Sequence, residues 1–488
     1  MKKPTLYYFI LSSWIILLIL FYPQFVDPIN RTFGSLRVFV VVSTLFVLYF
    51  WLNGLKDVIY TLYYHIFKPK LKLPPIVYDI SDEPFVELIY LTCNDFDPNS
   101  LLKSMNQQYR NFRVVICDDS TKSEYKRAID EFQSTYNITV IRRSDNKGFK
   151  AGNVNNYLQH STAKYYVILD SDEVIPPNFI RACLQYFYNY NNVGIVQANH
   201  VVTKMANRFV QTFSLGVESH WSTYQSIKNT YGFLSFLGHG AMISAECYSR
   251  VGGFPEVVAE DLCFSISARE LGYYTYFAHD IVCEEEYPIS YLAFKRRHNK
   301  WTQGNMEFIK KYTLVILFSK MSWFEKLDIF LFTYNLPLSI VFVFYIIINI
   351  IVFPVYDFTL NYPVALAVPT VLFLLAPMLN DILYYGKKIN HHKILIYCVF
   401  VLSLYGSMLF ISLRASLLSM FGKSVFLVTP KTTEKLSIRQ AVVANFGEIT
   451  FGVVVSVVCI SFNQSLFPVI LIVIPALQSV ALTLMSNE

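Results

Sequence analysis

Seven apolar stretches limit what this chain can become: Leu6 to Tyr22, Val38 to Leu52, Ile329 to Phe353, Tyr362 to Leu379, Ile394 to Leu413, Gln440 to Phe462 and Ser465 to Leu484. Several meet the roughly 20-residue length that crosses a bilayer. Between the second and third lies a polar interval of about 270 residues, enough for a domain with its own core. A composition of 54% hydrophobic and only 16% charged residues excludes an ordinary soluble enzyme with a polar shell. The expectation is a soluble lobe inserted between membrane helices.

The placement of charge orients that lobe. Lys2 and Lys3 precede the first stretch, and Lys56, Lys68, Lys70 and Lys72 follow the second, so both flanks and the lobe between are expected on the cytoplasmic side of the cell membrane. The lipid bilayer is therefore a partner, and no nucleic acid is expected. Eight cysteines show no C-x-x-C spacing, which points to small reduced core residues rather than a zinc or redox site.

Within the lobe, strand and helix patterns alternate. Val86 to Thr92, Phe112 to Cys117, Ile138 to Arg142, Tyr165 to Leu169 and Val193 to Ala198 read as strands, with helical patterns between them and Asp97 and Pro98 marking one helix start. This rhythm predicts a mostly parallel α/β sheet with its ligand at the carboxyl ends of the strands. Polar residues collect at those ends: Thr92 and Asn94 after the first strand, Asp118 after the second, Asp170 and Asp172 after the fourth. Carboxylates at D-x-D spacing suit a hard cation, Mg²⁺ or Mn²⁺, which would bridge Asp172 and Asp170 to a nucleotide diphosphate. The alternative for this pair is a solvated turn. Neither a Walker-type phosphate loop nor a dinucleotide fingerprint follows the first strand.

Three further stretches complete the set. The loop NKGFKAGN (146–153) leads into a helix and places Lys150 where it could meet phosphate. A helix starting near Glu260 carries Asp261 in its first turn; the helix dipole depresses such carboxylates, so burial must offset it if Asp261 is to act as a base. In KRRHNKW (295–301), Arg297, Lys300 and Trp301 share one helical face, fit to anchor a membrane-surface helix or to meet a departing diphosphate. Basic residues flank the 394–420 segment on both sides, so it reads as interfacial or re-entrant, giving six crossings, with seven as the alternative.

Taken in order, Asp118, Asp170-Ser171-Asp172, Ala259-Glu260-Asp261, the R-x-x-K-W of 297–301 and Phe426-Leu427-Val428-Thr429-Pro430-Lys431 resemble the family 2 glycosyltransferases. The likeness is strongest to the processive membrane-embedded branch that includes cellulose and hyaluronan synthases. It implies a GT-A type sheet domain inserted in a transmembrane helical bundle with interfacial helices. The expected division is two N-terminal membrane helices (1–55), a cytoplasmic transferase domain (56–285) and amphipathic interface helices (286–328). A membrane pair (329–385), an interfacial helix with gating loop (386–437) and a final membrane pair (438–488) follow.

By the same resemblance, Asp118, Lys150, Thr92, Asn94 and Asp170 would bind the nucleotide sugar, with Arg297 and Lys300 on the diphosphate. Asp172 would hold the metal, and Asp261, beside Glu260, would deprotonate the acceptor. FLGHGA (236–241) looks like the acceptor-side segment, placing Leu237 and His239 near the acceptor sugar on which Trp301 stacks. Phe426, Val428, Thr429 and Lys431 would form a gating loop. The implied activity is inverting, processive polymerisation of a β-linked polysaccharide from a UDP-sugar, a glucose-type hexose favoured, with export of the growing polysaccharide acceptor. An accessory export subunit is left open. The family's Q-x-x-R-W is Arg297-His298-Asn299-Lys300-Trp301 here, and its T-E-D is A-E-D. The competing readings are single transfer to a lipid carrier and, from another class, a transporter with a regulatory domain.

Overall fold

The computed structural model describes residues 2–67, 83–360, 364–422 and 434–488. Its organising element is a seven-stranded sheet: β1 (Val86–Thr92), β2 (Phe112–Asp118), β3 (Thr139–Arg142), β4 (Tyr165–Asp170), β5 (Val193–Val202), β6 (Ala241–Ser244) and β7 (Tyr274–Glu285). The spatial order is β3-β2-β1-β4-β6-β5-β7. All neighbours are parallel except β6, which runs antiparallel to both β4 and β5.

Apolar runs form the centre because both faces of the sheet are covered. Along β1 every residue is buried. Val86, Leu88 and Tyr90 join one core with Leu101, Ile129, Phe179 and Cys183 from the flanking helices. Ile89 and Leu91 join the opposite core with Ala151, Val154, Cys247 and Phe264. That alternation is the two-residue period of a strand packed on both sides.

The register then fixes the site. Thr92 lies opposite Asp118, and Leu91 lies opposite Asp170, so the carboxyl ends of β2, β1 and β4 form one edge. The first connection is set by Asp97, whose carboxylate accepts the Asn99 N–H at 3.0 Å ahead of a helix with Pro98 in its first turn.

Beyond the sheet, an interface helix (Tyr291–Phe318) starts at Ser290, whose hydroxyl accepts the Ala293 N–H. It packs along the helical segment 391–421: Tyr291 bonds Ser407 at 2.9 Å and His298 bonds Ser412 at 2.7 Å. Lys295 pairs with Glu448 at 2.6 Å.

Gly34–Phe67, His391–Phe421, Phe446–Asn463 and Phe467–Asn487 are each long and apolar enough to cross a membrane. Two bent pairs qualify when taken together, Thr5–Leu20 with Tyr22–Asn30 and Val364–Leu374 with Ala376–Tyr385; prolines at 23, 369 and 377 accompany the bends. The protein is a membrane protein. The 394–420 segment expected to lie in the interface falls within His391–Phe421, which has the length and composition of a span, whereas the expected span 329–353 is divided between the end of the helix Trp323–Thr333 and the shorter apolar helix Ser339–Val355.

Candidate active site

The site grows from the end of β4. Asp170, the last residue of that strand, accepts a hydrogen bond from Lys150 Nζ at 2.6 Å. The same ammonium donates to the Gly238 carbonyl oxygen at 2.8 Å. Lys150 stands in the first turn of the Phe149–Leu158 helix, entered through Gly148 in the left-handed conformation, so the NKGFKAGN loop does deliver a cation to the carboxyl edge. Burial opposes the charge on Lys150, but Asp170, Glu260 and Asp261 outweigh it and its pKa rises. Burial likewise opposes ionisation of Asp170, and Lys150 and His239 reverse that, holding its carboxyl well below the usual range.

Gly238 brings the acid-bearing helix into the same place. A Cβ at this position would sit 3.4 Å from Asp261 Oδ2 and 3.6 Å from Lys150 Nζ. Glu260 and Asp261 open the helix Glu260–Glu270, and both carboxyls are shifted upward despite the helix dipole. For Glu260 burial is the larger cause and the Asp261 charge the next, lifting it to about 7. For Asp261 burial again dominates, opposed by the Leu262 N–H that its Oδ1 accepts at 2.7 Å. Burial lowers the Lys300 ammonium while Glu260 raises it, so the interface helix also faces this group. Asp170, Lys150, Glu260, Asp261 and Lys300 are therefore one electrostatic unit drawn from four parts of the chain.

His239 is no bystander in its loop. Its Nδ1 lies 3.3 Å from Glu173 Oε2 and its Nε2 lies 3.5 Å from Glu285 Oε2. His200 approaches the other Glu173 oxygen at 2.8 Å. Burial disfavours the imidazolium, but Glu173, Glu285 and Asp170 raise its pKa to about 10. This buried network was missed in the sequence, although three buried polar residues in strand β5, Gln197, Asn199 and His200, were a signal. Gln197 ties the loop directly, accepting the Leu237 N–H at 2.9 Å and donating to the His239 carbonyl at 3.0 Å.

Other expected site residues take more structural positions. Asp118 accepts Arg142 Nε at 2.7 Å and the Ser120 N–H at 2.8 Å. Asp119 holds Arg143 in a two-pronged pair at 2.8 and 2.6 Å. Asn94 spends its side-chain oxygen on the backbone of Thr121 and Lys122, and Thr92 donates to Asp95 at 2.9 Å, so both shape the loop after β1. Arg297 stacks over Trp301 at 4.6 Å, leaving the indole exposed. Phe426, Val428, Thr429 and Lys431 lie outside the described residues.

Two donor sets compare for a divalent ion. Asp170 and Asp172 offer only oxygen at the partly open carboxyl edge; Asp172 also accepts the Glu286 N–H at 3.2 Å. That chemistry suits Mg²⁺ or Mn²⁺. Glu173, His200 and Cys283 also cluster, but they are fully buried and include nitrogen and sulfur, a poor match for a hard ion that must meet phosphate.

A sequence model of the glycosyl transferase family group 2 matches residues 165–385, from β4 through the acid-bearing helix and the interface helix. That stretch is similar in sequence to the family 2 glycosyltransferases. The chain is 26% identical over 218 residues to the probable glucomannan 4-beta-mannosyltransferase 7 of Oryza sativa subsp. japonica, covering 42% of this chain and 37% of that protein. Against glucomannan 4-beta-mannosyltransferase 2 of Arabidopsis thaliana the identity is 24% over 224 residues, covering 44% and 42%. The match thus spans well under half the length of these relatives. Among solved structures, mannosyltransferase PcManGT from Pyrobaculum calidifontis, in complex with GDP-Man and Mn²⁺, has a TM-score of 0.45 at 17% identity, covering 75% of this chain and 98% of that one.

Proposed function

We propose that this protein polymerises a β-linked polysaccharide from a nucleotide-diphosphate hexose at the cytoplasmic face of the cell membrane and passes the product through its helical bundle. The observation that carries the reading is the meeting of Lys150, Asp170, Gly238 and Asp261 at the carboxyl edge of the sheet, beside the interface helix. Asp261 takes the proton from the acceptor hydroxyl. The freed oxygen attacks the anomeric carbon, the bond from that carbon to the phosphate oxygen breaks, and the nucleoside diphosphate leaves with inversion. Lys150 and Lys300 stabilise the charge that gathers on the leaving group.

Asp172 and Asp170 would hold a Mg²⁺ or Mn²⁺ ion, which when bound neutralises diphosphate charge. Asp118 sits at the nucleoside end of the same edge, fixed by Arg142, and Trp301 offers a face to the acceptor sugar. The relatives' named activity, 4-β-mannosyl transfer, supports trying mannose beside glucose as the hexose.

The test is incubation of the purified full-length protein in lipid with radiolabelled UDP-glucose and GDP-mannose, each with Mg²⁺ or Mn²⁺, followed by sizing. A high-molecular-weight product cut by a linkage-specific β-glycanase is expected. A short product soluble in organic solvent would replace polymerisation by single transfer to a lipid, and no product with any donor would overturn the reading.

A further inference from the structure

One short helix, Trp323–Thr333, touches both elements that carry the proposed chemistry. Its Glu325, fully buried, receives Arg269 in a two-pronged pair, Nε at 2.9 Å and Nη2 at 3.0 Å. Arg269 lies in the helix that Glu260 and Asp261 begin, eight residues after Asp261 and so about 12 Å along the axis. The guanidinium also lies over the Tyr274 ring, 4.1 Å from its centre. That grip fixes the far end of the acid-bearing helix.

Three residues on, and on the same helical face, Asp328 is equally buried. Its Oδ2 accepts the Phe233 N–H at 2.7 Å, where the loop leading to Gly238 and His239 begins. Its Oδ1 accepts Tyr7 OH at 2.7 Å, and Lys228 approaches at 3.5 Å. The backbone passes so close that a Cβ on Gly232 would fall 2.4 Å from Asp328 Oδ2.

The other side of this helix is apolar and open: Trp323 and Phe330 are exposed, and the Trp323 ring lies 5.2 Å from that of Tyr8 in the first candidate span. Lys326 turns back to the Leu317 and Ser319 carbonyls at 2.9 and 2.8 Å, closing the C-terminal end of the interface helix. Charge pairs inward and aromatic groups outward describe a helix lying in the surface of the bilayer.

We propose that Glu325 and Asp328 are positioning residues through which the lipid-seated helix Trp323–Thr333 sets the acid-bearing helix and the 233–240 loop relative to one another. The inference rests on the glycosyltransfer reading for its kinetic readout, though not for its structural one. Loss of either carboxylate lets one side of the site drift while the donor end, built on β1, β2 and β4, stays in place.

The experiment uses the full-length protein in nanodiscs of phosphatidylethanolamine and phosphatidylglycerol. Hydrogen exchange is followed in peptides covering 233–240 and 258–264, beside kcat and donor KM. For Glu325→Gln, and for the gentler Arg269→Lys, exchange in 258–264 should quicken about tenfold, and kcat should fall at least about tenfold with donor KM within about twofold. For Asp328→Ala the quickened segment should be 233–240. Exchanging the pair, Arg269→Glu with Glu325→Arg, should recover most of kcat. Unchanged exchange in folded variants, kcat within about twofold of the parent, or a KM that rises as kcat falls would each overturn the proposal. So would loss of fold in both Glu325→Gln and Arg269→Lys, which marks the pair as structural only. If the unaltered protein transfers no sugar, the glycosyltransfer reading fails while the exchange pattern still decides the coupling.

Discussion

Gly238→Ala is the sharpest probe of the site. The residue has φ +95°, a region that L side chains avoid, so the substitution costs about 1–3 kcal/mol of stability on backbone grounds. The new methyl meets no wall: its nearest neighbours are Asp261 Oδ2 at 3.4 Å and Lys150 Nζ at 3.6 Å, both ordinary contact distances. What it does occupy is the approach to Asp261. An acceptor hydroxyl must come within about 2.6–3.2 Å of the base it serves, and a displacement near 1 Å is enough to cost about 100-fold in rate. That loss corresponds to about 2.7 kcal/mol in the barrier. Nucleotide binding should change little, because Asp118 and the loop after β1 are untouched and Lys150 Nζ, 3.6 Å from the new methyl, keeps its bond to Asp170. The assay pairs calorimetric titration of UDP or GDP with single-turnover sugar transfer, and a melting curve to register the backbone cost. A lowered melting midpoint with an unaltered transfer rate would show that the acceptor does not pass Gly238, and the assignment of Asp261 as base would fall.

Asp261→Asn should reduce transfer by at least about 1,000-fold while nucleotide affinity stays within about twofold; weakened binding instead would move Asp261 to the donor site. Glu260 is raised by burial from 4.5 to about 7, so its contribution to stability is complete below about 4.5 and lost as pH climbs to about 7. The melting midpoint should decline across that window, and Glu260→Gln should flatten the decline; a slope surviving in the variant would assign it to another group. Chelation with EDTA should stop incorporation and Mn²⁺ restore it, with Asp172→Asn needing at least about tenfold more Mn²⁺; an unchanged Mn²⁺ requirement would remove Asp172 as a ligand.

How much of this could be read from the chain depended on whether a signal was local. Strands β1 to β5 were legible because each is an apolar run closed by a polar turn, and the burial that produces such runs is the same burial the sheet supplies. The strands β6 and β7 were not. Ala241–Ser244 is only four residues long, and Tyr274–Glu285 mixes Asp280, Glu284 and Glu285 with alternate buried positions, a period-two pattern masked by charge. The acids of the site were legible as types, since carboxylates at strand ends and helix starts stand out. Their partners were not: the pairing of Lys150 with Asp170, or of His239 with Glu173 and Glu285, depends on strand order, which local periodicity does not encode. The loop partners of Asn94, the backbone of Thr121 and Lys122, were hidden for the same reason, because they come from the next crossover.

The reversal of β6 has an outcome for how such a catalyst could be altered. Because Ala241 pairs beside Ile168 while Ser244 pairs beside Tyr165, the segment before β6, not the one after it, reaches the working rim. The loops proposed to hold the donor exit forward-running strands and the 233–240 loop, proposed to meet the acceptor, enters a backward-running one, so the two halves of the proposed reaction hang from separate stems on a shared lip. Grafting a different segment between Phe233 and Ala241 would therefore exchange the receiving side of the proposed reaction, so long as the graft keeps the Gly238 carbonyl that Lys150 holds from the nucleotide side.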